Sequence, residues 1–234
     1  IPDDPDLLDE VTNLVERPAA LLGRFEPQFL ALPQEVLVTA MRKHQLYFPV
    51  TGPDGNLLPY FVAVRNGDEQ HLDTVREGNE EVLRARFSDA RFFYEHDIQR
   101  PLEAFLPRLG TLTFQEQLGS MLDKSRRLEQ LVPLVGRALG LEAPDLAVAL
   151  RAAHLCKADL ATQLVIEFTN LQGTMGRHYA LRSGEPEPVA LAIAEHYMPR
   201  SARDRLPGTK PGLALAIADR LDSLVGLFAA GLSP

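Results

Sequence analysis

The chain is poor in cysteine, has no long apolar run and carries no excess of basic charge. Its single cysteine, Cys156, has no second thiol to bridge to, and the missing cysteine framework points to a reducing, cytoplasmic setting. No charged-then-apolar leader opens the sequence, and no apolar stretch reaches the about 18 residues of a membrane helix, so neither targeting nor membrane insertion is expected. The formal net charge of −8 argues against a general coat for nucleic acid and against DNA as a partner, while leaving room for a local basic face that takes RNA. Compact catalytic signatures are lacking too: there is no GxxxxGK[ST] phosphate loop, no GxSxG elbow, no supported Cys–His pair and no EF-hand spacing. What is there is an ordinary globular composition, 45% hydrophobic and 24% charged. At 234 residues it is long enough to bury a core without disulfides and to form one or two domains. Beginning at Ile1 and ending at Pro234 straight after an apolar helical pattern, it reads as a piece of something longer.

The first part mixes helices with a small sheet. Asp6–Arg17 has Leu7, Leu8, Val11, Leu14 and Val15 on one side of a short helix that Pro18 ends. Ala19–Phe25 is a candidate strand, and a second helix runs from Pro33 to about His44. Leu46–Val50 and Leu57–Arg65 pair as strands across the turn Gly52-Pro53-Asp54-Gly55, with Tyr47, Phe48 and Phe61 read as core. Lys43, His44, Arg65 and Asn66 flank those strands, where they face a groove or solvent. Val75–Asp97 is a long helix whose apolar face carries Leu83, Phe87, Ala90 and Tyr94. Its arginines, Arg84, Arg86 and Arg91, have forks that suit phosphate. The alternative is pairing with Glu80, Glu81, Asp89 and Glu95 on the same helix, worth about 0.3–0.5 kcal/mol per pair.

Pro101 and Pro107 bracket a connector, which sets expected domains at 1–105 and 106–234. Beyond Leu109 the pattern is entirely helical. Phe114, Leu118, Met121, Leu122 and Leu128 make an apolar stripe, Leu141–Thr169 supplies one or two buried helices, and Pro186–Tyr197 and Pro211–Leu227 supply two more. The stretch Arg151–Ala180 stands out. An apolar run breaks at Gln172-Gly173 and resumes with Met175-Gly176-Arg177-His178-Tyr179. Two glycines beside a turn call for close backbone approach or unusual dihedrals. Arg177, His178 and Tyr179 just after it either hold the turn or reach for a partner.

The run EFTNLQGTMGRHYA resembles the EFT-x-x-QG-x-MG-x-x-YA signature of the β subunit of bacterial two-subunit glycyl-tRNA synthetases. MRKHQLYFPV, PYFVAVRN and GNEEVLRARFSDARFF are similar to further blocks of that family, so the resemblance covers nearly the whole chain. It implies an α+β N-terminal region followed by an all-α, degenerate HD-like helical domain, mainly helical overall. HD-type phosphohydrolases hold a metal with an early-helix histidine, a His–Asp pair closing a later helix and an aspartate on a last helix. Here those positions are Lys124, Cys156-Lys157 and Asp219, so cations stand where the metal's charge would sit and no metal is expected. A different metal set from His154, Asp159, His178 and Asp219 has no short spacing to support it. Of Asp219 and Asp222, one is expected to pair with Lys124 or Lys157 and the other to be solvated.

The resemblance further implies that this chain has no catalytic residue of its own. In the parent complex, a glycine–tRNA ligase, the α subunit makes glycyl adenylate with ATP and Mg, and the β subunit binds tRNA-Gly. This part of the β subunit would help place the acceptor end. The residues expected to touch RNA are Arg84, Arg86, Arg91, Lys124, Arg126, Arg127, Lys157, Arg177 and His178, with Lys124, Arg126, Arg127 and Lys157 lining a vestigial pocket mouth. A structural connector without RNA contact and a metal-dependent HD phosphohydrolase are the alternatives.

Overall fold

The computed structural model describes residues 4–232. The chain divides into two compact units, with the division between Glu95 and His96.

The first unit is a three-stranded antiparallel sheet with helices. Helix α1 (Pro5–Leu14) starts at Asp4, whose carboxylate accepts from the Leu7 amide at 3.2 Å. It buries Leu7 and Val11 against Phe48 and leaves Leu8 and Leu14 exposed, a narrower apolar face than the five-residue side expected from periodicity. Strand β1 (Pro18–Arg24) alternates exposed and buried residues along its length, as a strand covered on one face does. Helix α2 (Gln34–Gln45) follows Pro33 and stops where Leu46 turns left-handed at φ 55°. Strands β2 (Phe48–Thr51) and β3 (Leu57–Asn66) then form the expected hairpin, and β1 adds to the far side of β3 to give the order β1-β3-β2.

Aromatic packing holds this unit. Tyr47 stacks on Phe61 at 4.8 Å between ring centres, and the Phe61 ring lies so close over Gly23 that any side chain there would overlap it. Helix α3 (Leu72–Asp97) buries Leu83, Phe87 and Ala90 completely, and Phe87 meets Phe25 and Phe29 edge-on at 5.0 and 5.5 Å. Each such buried ring contributes about 1.5–3 kcal/mol.

The second unit is helical. After a 3-10 segment (Leu102–Thr111), helices α4 (Met121–Ala138), α5 (Ala143–Leu155), α8 (Glu187–Glu195) and α9 (Lys210–Ala229) pack on one another, with short α6 (Gln163–Glu167) and α7 (Thr174–Arg182) between α5 and α8. The expectation of helix throughout beyond Leu109 is corrected at one place. A small hairpin, β4 (Thr113–Gln115) and β5 (Gly119–Ser120), precedes α4, so Phe114 and Leu118 are not on the α4 stripe. Gly119 at φ 81° turns the chain, and Ser120 and Asp123 form a reciprocal capping box that fixes the start of α4. The last residue of α3 belongs to this unit. Asp97 is buried, accepts from the Gln163 and Leu164 amides and from the Tyr179 hydroxyl, each at 3.0 Å, and so caps α6 and anchors α7. Among the described residues no helix is long and apolar enough to cross a membrane.

Candidate functional site

Three positions far apart in sequence meet at the centre of the helical unit. Lys124 comes from the first turn of α4, Lys157 from just past the end of α5, and Asp219 from the middle of α9. The Lys124 ammonium lies 3.0 Å from Asp219 Oδ1 and that of Lys157 lies 3.0 Å from Asp219 Oδ2. Lys124 also donates to Asp222 Oδ2 at 3.0 Å and to the Ser223 hydroxyl at 2.8 Å, beneath the Phe114 ring at 4.5 Å. Lys157 reaches His196 Nε2 at 2.9 Å and faces the Tyr197 ring at 4.2 Å. Because His196 Nδ1 lies 2.5 Å from the Ile193 carbonyl, Nδ1 carries the proton and Nε2 accepts from Lys157. Burial, reinforced by Lys157, pushes the imidazole down to about 3, so it is neutral.

Burial works to raise the Asp219 carboxyl, but the neighbouring cations, Lys157 foremost, outweigh it and hold the group well below the usual carboxylate range. Asp222 is held low in the same way, with burial opposed by Arg127 and Lys124. Arg127 forks onto both Asp222 oxygens at 2.6 and 3.2 Å and gives its remaining arm to the Leu118 carbonyl. Neither aspartate is solvated, which corrects the expectation that one of them would be. Lys124 and Lys157 are 3% and 2% exposed, so they lie inside the unit and not at a pocket mouth. Helix packing decides this, because α4, α5, α8 and α9 pack on one another around both lysines and leave the carboxylates as the ammoniums' partners. A divalent metal would need the Asp219 oxygens that both ammoniums already occupy. The donor set therefore does not fit a metal.

The glycine-rich turn has a structural explanation. Asp159 is fully buried, and its Oδ2 accepts from the Gly173 amide at 2.6 Å and the Gly176 amide at 3.0 Å, placing a carboxylate at the N-terminus of α7. Gly173 takes φ 77° and lies against the Tyr197 ring, and a side chain at Gly176 would press on Ile193 and on Asp159 itself. Arg177 pairs with Glu187 at 2.6 Å, holding α7 to α8, and His178 is half-buried with a partner of its own. His154 sits between Glu129 at 2.8 Å and Glu103 at 3.1 Å. With Asp159 under the glycines and Asp219 under the lysines, the set His154, Asp159, His178 and Asp219 is not brought together as metal ligands. Among the described residues no His/Cys/Asp/Glu group of three or more could hold an ion. Burial pushes the Cys156 thiol up to about 12, so it is no nucleophile.

The remaining expected residues are at the surface. Arg84 pairs with Glu26 at 2.5 Å, a residue outside its own helix, whereas Arg91 pairs with Glu95 one turn on, as the same-helix alternative has it. Arg86 is exposed with no partner among the described residues, and Arg126 is 65% exposed with a loose contact to Asp123 at 3.5 Å. Sequence reading missed Asp97, His196 and Ser223. No local spacing marks them, since each finds its partner through tertiary packing.

A family profile described as glycyl-tRNA synthetase beta subunit matches residues 1–234. The chain is 52% identical over 231 residues to the glycine–tRNA ligase beta subunit of Moorella thermoacetica, covering 99% of this chain and 33% of the relative. It is 50% identical over 234 residues to the protein of that name in Halalkalibacterium halodurans, covering 100% and 34%. For the Clostridioides difficile protein of that name the identity is 52% over 233 residues, covering 99% and 33%. The chain thus spans about a third of the length of these relatives. With its whole length matched, the chain belongs to the glycyl-tRNA synthetase beta subunit family.

Proposed function

We propose that this chain is a tRNA-positioning part of a glycine–tRNA ligase, working in the cytoplasm beside an α subunit that binds ATP and Mg and performs the chemistry. One observation supports this most: the polar centre of the helical unit, a degenerate HD-like site on this reading, is filled by Lys124 and Lys157. No acid, base or metal position is left open there, which suits a scaffold and not a phosphohydrolase. Placing a tRNA end demands geometry above reactive groups, since a 1 Å misplacement costs about a hundredfold in rate. Duplex RNA is held mainly through phosphates and 2′-hydroxyls, which exposed arginine forks suit. With Lys124 and Lys157 internal and Arg127 committed to buried Asp222, the RNA-facing set rests on exposed Arg86 and Arg126, and Arg84, Arg91, Arg177 and His178 would join it only by giving up their present partners.

The connector reading is favoured by one specific observation, the internal pairing of Lys124, Arg127 and Lys157. The two readings separate on the Arg86→Glu/Arg126→Glu variant of the assembled α–β enzyme. A tRNA contact predicts a KM for tRNA-Gly raised about tenfold, roughly 1.4 kcal/mol, with tRNA-free glycine activation unchanged. An unchanged KM in a folded variant favours the connector.

A further inference from the structure

Between α8 and α9 the chain makes a loop, residues 199–209, that continues into the first residue of α9. In the eleven residues RSARDRLPGTK, Arg200, Arg203, Arg205 and Lys210 face a single carboxylate, Asp204, in a chain whose net charge is −8. Loops of this length that bury little are ordinarily loosely held, yet this one is tied down at both ends. Buried Glu195 accepts from the Gly208 and Thr209 amides at 2.9 and 3.1 Å and from the Thr209 hydroxyl at 2.5 Å. Arg220 on α9 donates to the His196 and Pro199 carbonyls at 3.1 and 3.0 Å. The Arg200 guanidinium reaches the Asn170 and Gln172 carbonyls at 2.9 and 2.7 Å, which fastens the loop to the glycine turn below it. Asp204 is spent on the loop's own backbone, accepting from the Arg200 amide at 2.7 Å and the Arg205 amide at 2.8 Å.

The anchoring groups of the loop are therefore satisfied internally, while Arg203 and Arg205 stand exposed; Arg203 has no ion pair or side-chain hydrogen bond among the described residues, and Arg205 has only the nearby charge of Asp204. Between the anchors Leu206 is 69% exposed, so the loop contributes no core there. We propose that residues 200–210, tied at both ends, form an RNA-backbone contact, with Arg203 and Arg205 each taking a phosphate of the bound tRNA. The guanidinium fork matches phosphate oxygens. Tying the two ends of the loop in the free protein lowers the ordering cost when RNA arrives. An otherwise acidic protein needs a local cationic patch of this kind to hold a polyanion. The proposal rests on the tRNA-positioning reading and assigns it a surface outside the residues named there.

The test measures tRNA-Gly affinity of the assembled α–β enzyme across a salt series. The variants are Arg203→Glu/Arg205→Glu, Arg203→Lys/Arg205→Lys and Arg86→Glu/Arg126→Glu, with folding followed by circular dichroism and tRNA-free glycine activation measured alongside. The expected result for the glutamate loop variant is at least about tenfold weaker binding, with glycine activation unchanged and the log–log salt slope reduced by about 1.5, two phosphates at roughly 0.7–0.9 each. The lysine variant should keep most of the slope. Unchanged affinity and slope in the loop variant, with binding weakened by Arg86→Glu/Arg126→Glu, overturns the loop contact and leaves the wider reading intact. Unchanged binding in both glutamate variants overturns both. A loss of affinity without a change in slope also overturns the loop contact, because it marks a structural effect.

Discussion

Buried acids in the helical unit pull its pH dependence in opposite directions, and the windows separate. Asp219 has a lowered pKa in the folded state, so its stabilisation is complete above the ordinary carboxylate range and fades only as the pH falls below it. Asp159 is raised to about 6, chiefly by burial, with the Gly173 amide and Lys157 opposing. Between about pH 4 and 6 the unfolded chain has already released that proton while the folded one keeps it, so this residue's contribution falls as pH rises through the window. The drop amounts to roughly 3 kcal/mol. Asp159→Asn keeps an oxygen for the Gly173 and Gly176 amides and removes the ionisation. Urea unfolding midpoints taken from pH 4 to 7 should lose this downward trend in the variant. A trend identical to wild type would mean that Asp159 is not its source. The sequence placed Asp159 only in a rejected metal set, because its partners lie on the far side of α6.

At the scale of elements, the turn before α7 is a closely constrained joint of the helical unit. Gly173 has a left-handed backbone and the Tyr197 ring against it, whereas Gly184, also left-handed at φ 85°, has open space where a side chain would go. Gly184→Ala should cost about 1 kcal/mol from backbone strain alone. Gly173→Ala should cost at least about 2 kcal/mol, because the ring must also move. Thermal unfolding of the two variants side by side checks the ranking, and equal losses would refute the packing account. Here the sequence was largely legible. A Gly-x-x-Gly beside a turn demands close approach, and the structure supplies both the dihedral and the contact. It was less legible at the hairpin before α4. Phe114, Leu118 and Met121 have helical spacing, but Gly119 and the Ser120 cap start the helix later than that spacing implies.

Across the whole molecule, the one thiol reports opening of the helical unit. Cys156 is fully buried and its thiol is pushed up to about 12 by burial, so the folded chain should react with a maleimide far more slowly than a model thiol at neutral pH. Addition of denaturant should bring the rate to the model value over the same range in which circular dichroism reports unfolding. Fast labelling of the folded chain would mean that the region around Lys157 opens readily.

The apolar face of α3, the hairpin of β2 and β3 across its Gly-Pro-Asp-Gly turn, and the proline and glycine stops are local properties, and the sequence alone determined them. Its motif blocks also carried the family resemblance, since those residue choices are contiguous. Tertiary packing decided which charges are internal. Lys124, Lys157, Asp219 and Asp222 look like surface residues along the chain, and only the closure of α4, α5 and α9 over them takes the lysines out of reach of a ligand. The same packing ties down the 200–210 loop, because Glu195, Arg220 and the carbonyls of the glycine turn hold it from positions that no sequence spacing connects.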